Sequence, residues 1–186
     1  MRVVDLLESS PVIAAIKDEN GLEKCLQTDC DVIFILFGNI INIADIVDKV
    51  KASGKTAIVH VDLIQGLSSK EIVIDFIKKH TKADGIISTK PPLVHYAIKL
   101  GLIGVQRTFV IDSMAVDNTK KQIDSFRPDA IEVMPGIIPK VIKEFREYAN
   151  IPIIAGGLLS DKKDVMAAFE AGADAISTTN QKMWYV

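Results

Sequence analysis

"IPIIAGGLLSDKKDV" at residues 151–165 and "GADAISTTNQ" at residues 172–181 decide the fold. Each is a short apolar run that reads as a strand. The first runs into Gly156 and Gly157, and the second into Thr178, Thr179 and Asn180. Glycine lacks a Cβ, so the backbone N–H groups around it can approach an anion closely. In (β/α)8 barrels the loops after strands seven and eight, with the N-terminus of a short extra helix, frequently bind phosphate. Alone, a Gly-Gly pair is only a tight turn. Its meaning here depends on where it falls in the chain.

Working outward, β-branched runs suggest strands over residues 12–16, 32–37, 56–61, 85–88, 106–111, 130–133, 153–155 and 175–177. They are apolar at nearly every position, as buried parallel strands are. Segments such as "IADIVDKVKASG", "SKEIVIDFIKKHTKA" and "PKVIKEFREYAN" lie between them with apolar residues at three- and four-residue spacing, the pattern of amphipathic helices. Repeated βα units permit a closed barrel or an open doubly wound sheet. The echo between "TKADGIIST" and "AGADAISTT" at the fourth and eighth strands, with no G-x-G-x-x-G after the first strand, favours the barrel. The expected fold is therefore α/β, a single compact (β/α)8 TIM-like barrel domain over residues 1–186. Only "NQKMWYV" follows the eighth strand, so the final helix should be short or missing, with Trp184 and Tyr185 packed in its place and "VVDLLES" forming a small N-terminal helix.

With 186 residues and 48% hydrophobic content, the chain can bury one good core. It contains no apolar run long enough to span a membrane, and Asp5, Glu8 and Lys17 interrupt the N-terminal apolar residues, so the reading is cytoplasmic with no membrane partner. Cys25 and Cys30 have neither a second cysteine pair nor a nearby histidine, which points to buried free thiols rather than a disulfide or a metal site. A net charge of −2 is not the footprint of a typical nucleic-acid binder. Local clusters qualify that: Lys78, Lys79, His80 and Lys82; Lys120 and Lys121; Lys140, Lys143 and Arg146; Lys162 and Lys163. A solvated helix face is the ordinary explanation for each.

Functional groups of a barrel gather at the C-terminal ends of its strands. Lys17, Gly38, Asn39, His60, Asp62, Ser88, Lys90, Asp112, Glu132, Gly156, Gly157, Thr178, Thr179 and Asn180 fall there. His60 and Asp62, like Ser88 and Lys90, are two residues apart and would share a strand face. Gly156, Gly157, Thr178, Thr179 and Asn180 would hold a phosphate, Lys90 would add a cation, and Asp62, Asp112 or Glu132 would accept from ligand hydroxyls. The same groups suit aldolase or isomerase chemistry, so pocket residues alone leave binding and catalysis open.

"IVHVDLIQGLSSKE", "ADGIISTKPPLVHYAIKLGL", "QRTFVIDSMAVDN", "DAIEVMPGIIPKVI" and "PIIAGGLLSDKKDV" closely resemble the glycerol uptake operon antiterminator regulatory proteins of bacteria, and the resemblance runs through essentially the whole chain. It implies a barrel that binds glycerol 3-phosphate as effector, needs no cofactor or metal, and acts on the leader of its messenger RNA to prevent premature termination without being an enzyme. An RNA contact would have to come from local basic surface, because no RNP, KH or Arg-rich pattern is present. Homo-oligomerisation is left open. The loops at residues 64–69 and 136–139 are the expected couplers between effector and RNA. The competing reading is a phosphate-binding-barrel enzyme acting on a small phosphorylated sugar or triose.

Overall fold

A computed structural model describes residues 3–185. Eight parallel strands close on themselves in sequence order: β1 (Val12–Ile16), β2 (Val32–Ile35), β3 (Thr56–His60), β4 (Gly85–Ser88), β5 (Ile103–Phe109), β6 (Ala130–Met134), β7 (Ile153–Gly156) and β8 (Ala175–Thr178). β1 pairs with β8 in parallel register, Ile13 opposite Ser177, and this closes the barrel. One helix, α1 (Val3–Ser9), precedes β1. The seven crossovers carry α2 (Glu19–Cys25), α3 (Ile43–Ala52), α4 (Ile72–His80), α5 (Pro91–Lys99), α6 (Ser113–Phe126), α7 (Pro139–Tyr148) and α8 (Lys162–Glu170). The expected TIM-like α/β barrel is the fold of this protein.

Side chains alternate across each strand, so two apolar layers form. Ile13, Ala15, Val32, Phe34, Ile58, Ile87, Val105, Ala130, Ile154 and Ala175 fill the barrel interior, and Leu6 and Leu7 of α1 join that cluster and plug its lower end. The opposite faces of the same strands meet the helix ring through Ile33, Val59, Ile131, Ile153 and Ile176, among others. Burial on both faces explains why the strands read as continuous apolar runs instead of alternating ones.

An aspartate stands just before β4, β6 and β8 and ties each to the strand before it. Asp84 accepts from the Ala57 N–H of β3 (2.8 Å) and pairs with Lys51 of α3 (2.7 Å). Asp129 accepts from the Gly104 N–H of β5 (2.9 Å). Asp174 accepts from the Ile153 N–H of β7 (2.7 Å) and pairs with Arg146 of α7. Burial raises the Asp129 carboxyl above its ordinary range, and the hydrogen bond from Gly104 offsets that only in part.

Some local details depart from the sequence expectation and others follow it. β5 begins at Ile103, three residues earlier than expected, because Gly104 is not a turn glycine. A Cβ there would lie 2.7 Å from Ile98 Cγ1 and 2.9 Å from the Val94 carbonyl, so the glycine lets α5 pack directly on the strand. The helix α2 ends at Cys25, where the sequence reads as a helix end, and is capped by the Asp18 carboxylate on the Gly21 N–H (2.7 Å). After β8 there is only a 3-10 turn, Gln181–Tyr185. Trp184 does fill the space of the missing helix, buried with its indole N–H on the Thr178 carbonyl (2.8 Å), whereas Tyr185 points to solvent. Cys25 and Cys30 are free and buried, and burial pushes the Cys25 thiol up to about 11. Among the described residues no helix is long and apolar enough to cross a membrane.

Candidate functional site

The barrel interior changes from apolar to polar in a single layer at the C-terminal ends of the strands. The inward residues of this layer are His60 on β3, Arg107 on β5, Glu132 on β6, Gly156 on β7 and Ser177 on β8, with Phe109 and Met134 one step higher on β5 and β6. Glu132 is wholly buried, and its two carboxylate oxygens are divided: Oε2 accepts from Arg107 Nε and Oε1 from the Ser177 hydroxyl. Arg107 stands directly opposite Glu132 in the β5–β6 register. A buried carboxylate is tolerated only when paired and hydrogen-bonded, and this one is both. Gly156 makes room for it, since a Cβ there would lie 2.6 Å from Glu132 Oε1 and 2.7 Å from Ser177 Oγ.

Above this layer opens a cavity of about 320 Å³ lined by Arg107, Glu132, Ser177, Gly157 and residues 178–180 on its polar side, with Leu36, Met134, Leu158 and Leu159 as an apolar wall. That lies at the small end of the roughly 300–1,000 Å³ typical of small-molecule sites. Gly157 adopts φ +74° and Leu158 φ +59°, so the loop after β7 turns sharply over the cavity through two consecutive left-handed residues. The loop after β6 is fastened to it: the Gly136 N–H donates to the Gly156 carbonyl (2.6 Å) and to the Gly157 carbonyl (3.2 Å). A Cβ on Gly136 would meet the Gly156 nitrogen at 2.8 Å, so only glycine permits this approach. The N-terminus of α8 is closed by its own capping box between Asp161 and Asp164. The Arg107 guanidinium and the Gly157 turn line the cavity, while the Asn180 N–H is already on the Thr178 hydroxyl (3.1 Å).

Of the residues expected from sequence, Glu132, Gly157, Thr178, Thr179 and Asn180 line this cavity, and Gly156 lies beneath it. The others are placed elsewhere on the rim. β3 ends at His60 and the chain passes into a 3-10 turn, Val61–Leu63, so Asp62 does not continue the strand face. Its carboxylate accepts instead from the Ser88 hydroxyl (2.8 Å), the Thr89 N–H (2.7 Å) and the Thr89 hydroxyl (2.9 Å). Burial acts to raise Asp62, but these hydrogen bonds outweigh it and hold the carboxyl below its ordinary value. β4 likewise ends at Ser88. Lys90 then stands at the start of α5, its ammonium on Ser69 Oγ (2.5 Å) and 3.9 Å from Asp62. Asp112 caps α6 by accepting from the Ala115 N–H (2.8 Å), outside the cavity. Lys17 is exposed after β1.

His60 is buried at 2% exposure, 4.0 Å from Asp62, and its Nδ1 has no hydrogen-bond partner. Burial, reinforced by the nearby Arg107 charge, pushes the imidazole down to about 4, so it is neutral near pH 7. The loop at residues 64–69 is tied to the loop after β2, with Gln65 N–H on the Gly38 carbonyl (3.1 Å) and Ile40 N–H on the Gln65 carbonyl (2.9 Å).

Sequence reasoning missed Arg107 and Ser177, and took Gly136 only as part of a coupling loop. An arginine two residues from the end of an apolar strand carries one usable signal: a strand facing the barrel interior keeps a charge only if another strand supplies the opposite one, and Glu132 does.

The model of the glycerol-3-phosphate responsive antiterminator family matches residues 12–184. An uncharacterised protein of Escherichia coli strain K12, YgcP, is 45% identical over 184 residues, covering 99% of this chain and 96% of that protein. The crystal structure of a glycerol uptake operon antiterminator regulatory protein from Listeria monocytogenes superposes with a TM-score of 0.90 at 33% identity, covering 93% of this chain and 94% of the other. A glycerol uptake operon antiterminator-related protein from Thermotoga maritima superposes with a TM-score of 0.84 at 34% identity, covering 94% and 98%. With the family model spanning nearly the whole barrel and these relatives alike from end to end, the chain belongs to the glycerol-3-phosphate responsive antiterminator family.

Proposed function

We propose that the protein binds glycerol 3-phosphate in the cavity over β5–β8 and, in response, acts as an RNA-binding antiterminator on the leader of a glycerol uptake transcript, without catalysing a reaction. The observation that carries this reading is the cavity itself. It joins a glycine turn and the Thr178–Asn180 backbone after strands seven and eight to a buried arginine, in a chain of this family. The phosphate would sit against Gly157, Thr178, Thr179 and Asn180, with Gly156 clearing space below, and Arg107 would supply the positive charge. The glycerol hydroxyls would face the Glu132 and Ser177 layer. Glu132 suits reversible binding better than proton abstraction, because a cation and a hydroxyl already occupy its two oxygens.

The test is calorimetric titration with glycerol 3-phosphate and with glycerol, together with terminator read-through in transcription of the leader and phosphorus NMR of the incubated effector. Glycerol 3-phosphate should bind more tightly than glycerol, raise read-through and remain chemically unchanged. Gly157→Val, which forces a branched side chain into φ +74° with its Cβ 2.7 Å from Met134 Cε, should weaken phosphate-ester binding and leave the helical circular dichroism intact. Formation of a product would overturn the regulatory reading in favour of a phosphate-barrel enzyme. Unchanged affinity in Gly157→Val would remove this phosphate site.

A further inference from the structure

Five lysines ring the cavity side of the barrel mouth: Lys17 after β1, Lys140 in the first turn of α7, Lys162 and Lys163 in the first turn of α8, and Lys182 in the turn after β8. All five are exposed, and among the described residues none forms an ion pair. Three of them, Lys140, Lys162 and Lys163, stand where helix dipoles repel cations, so their own helices do not explain them. The lysines at the other end of the barrel differ. Lys78 and Lys79 of α4 and Lys99 of α5 lie in last turns, where the dipole favours them, and Lys51 and Lys82 are paired with Asp84 and Asp48.

The carboxylates next to the rim lysines have partners of their own. Asp18 accepts from the Gly21 N–H (2.7 Å), Asp112 from the Ala115 N–H (2.8 Å), Asp161 from the Asp164 N–H (2.9 Å) and Asp164 from the Ser160 N–H (2.8 Å), while Glu144 pairs with Lys120 (2.7 Å). Lys163 still feels the Asp164 charge, but none of the five lysines is closed into an ion pair among the described residues. Between those of α7 and α8 the loops present Ile137 and Leu158, the latter 71% exposed. Cations spaced around a projecting apolar surface suit a flexible polyanion with flat, unstacked bases.

We infer that this lysine rim is the contact surface for single-stranded RNA, laid across the effector cavity from α7 over α8 to the turn after β8. The inference rests on the RNA-binding reading of the preceding subsection. It places effector and RNA on the same two loops. Residues 157–159 form one wall of the cavity and run directly into the α8 cap that carries Lys162 and Lys163.

The test measures affinity for two labelled probes across a salt series: the transcribed leader of the glycerol uptake genes and a shuffled RNA of equal length. It compares the wild-type chain, the rim variant Lys140→Ala/Lys162→Ala/Lys163→Ala, the same three positions changed to Arg, and an opposite-end variant Lys78→Ala/Lys79→Ala/Lys99→Ala. For three lost phosphate contacts the salt slope of the rim alanine variant should fall by about 2, with leader affinity down on the order of tenfold. The Arg variant should bind like wild type, and the opposite-end variant should stay within about twofold. Circular dichroism melts should show all variants folded. Loss of binding in the opposite-end variant, equal loss in both alanine variants, or no loss in either while wild type binds, each overturns the rim and leaves the antiterminator reading standing. A wild-type chain that binds neither probe overturns both.

Discussion

Replacing Arg107 with Met removes the one cation that faces Glu132 inside the barrel and leaves the carboxylate in a site with no solvent exposure. Breaking a buried pair from one side costs about 3–5 kcal/mol, because the remaining charge keeps its desolvation penalty and loses its partner. Unfolding entropy near 2.1 cal/mol/K per residue, over 186 residues, comes to about 0.39 kcal/mol/K, so each kcal/mol displaces the melting midpoint by about 2.6 °C. Arg107→Met should therefore melt about 8–13 °C below wild type. Removing both charges in Arg107→Met/Glu132→Leu should restore more than half of that loss, since an apolar pair of similar volume pays no ionic desolvation. Calorimetric melting of wild type, both single variants and the double variant gives the coupling energy, expected to exceed about 2 kcal/mol. Additivity within about 0.5 kcal/mol would refute the claim that these two side chains stabilise one another in the core.

Two further outcomes follow from the same layer. His60 has a folded-state value of about 4 against an unfolded value near 6.5, so unfolding takes up a proton between those limits. Stability contributed by the neutral imidazole is intact above pH 6.5, falls as pH drops towards 4, and amounts to about 3 kcal/mol in all. The loss from Asp62 lies lower, below the ordinary carboxylate range. Urea melts between pH 7 and 4 should show a steeper decline for wild type than for His60→Gln, and equal slopes would refute this assignment. Gly136→Ala drives a Cβ against the backbone of β7, at 2.8 Å from the Gly156 nitrogen, and should cost about 1–3 kcal/mol by melting. It should also weaken glycerol 3-phosphate in titration, because the loops after β6 and β7 are forced apart. Wild-type affinity in a folded variant would show that the two loops act independently.

The barrel was legible in the sequence because each strand is buried on both faces and each crossover carries a helical period, two signals that reinforce one another. The echo at residues 81–89 and 171–179 marked equivalent strands, β4 and β8, and the structure shows a reason for its aspartates: Asp84 and Asp174 make the same bond to the preceding strand. The cavity residues after β7 and β8 were legible too, since glycines and a Thr-Thr-Asn run at strand ends are local patterns. Arg107 was not, because its role depends on a partner 25 positions away, and β5 starts earlier than expected because Gly104 is a packing contact inside the strand. Asp112 read as a rim acid and proved to be a helix cap, two uses of a carboxylate that differ only in whether the side chain turns back to its own helix.

Asp84, Asp129 and Asp174 divide the barrel mechanically. Each ties the foot of its own strand to the foot of the one before it, and in two cases it also takes a cation from the helix that leads into the pair, Lys51 of α3 and Arg146 of α7. The cylinder is thus held at its base by staples that each span two staves. The joints between stapled pairs rest on the backbone ladder and side-chain packing. Those joints come where the chain crosses the mouth after β4 and β6, and the crossing after β2 leads from the unstapled β1 and β2 into the first pair. Cutting the polypeptide at any of these three crossings would leave every staple whole, so the mouth loops are the places where this chain can be opened, permuted or rejoined without loosening its foundation.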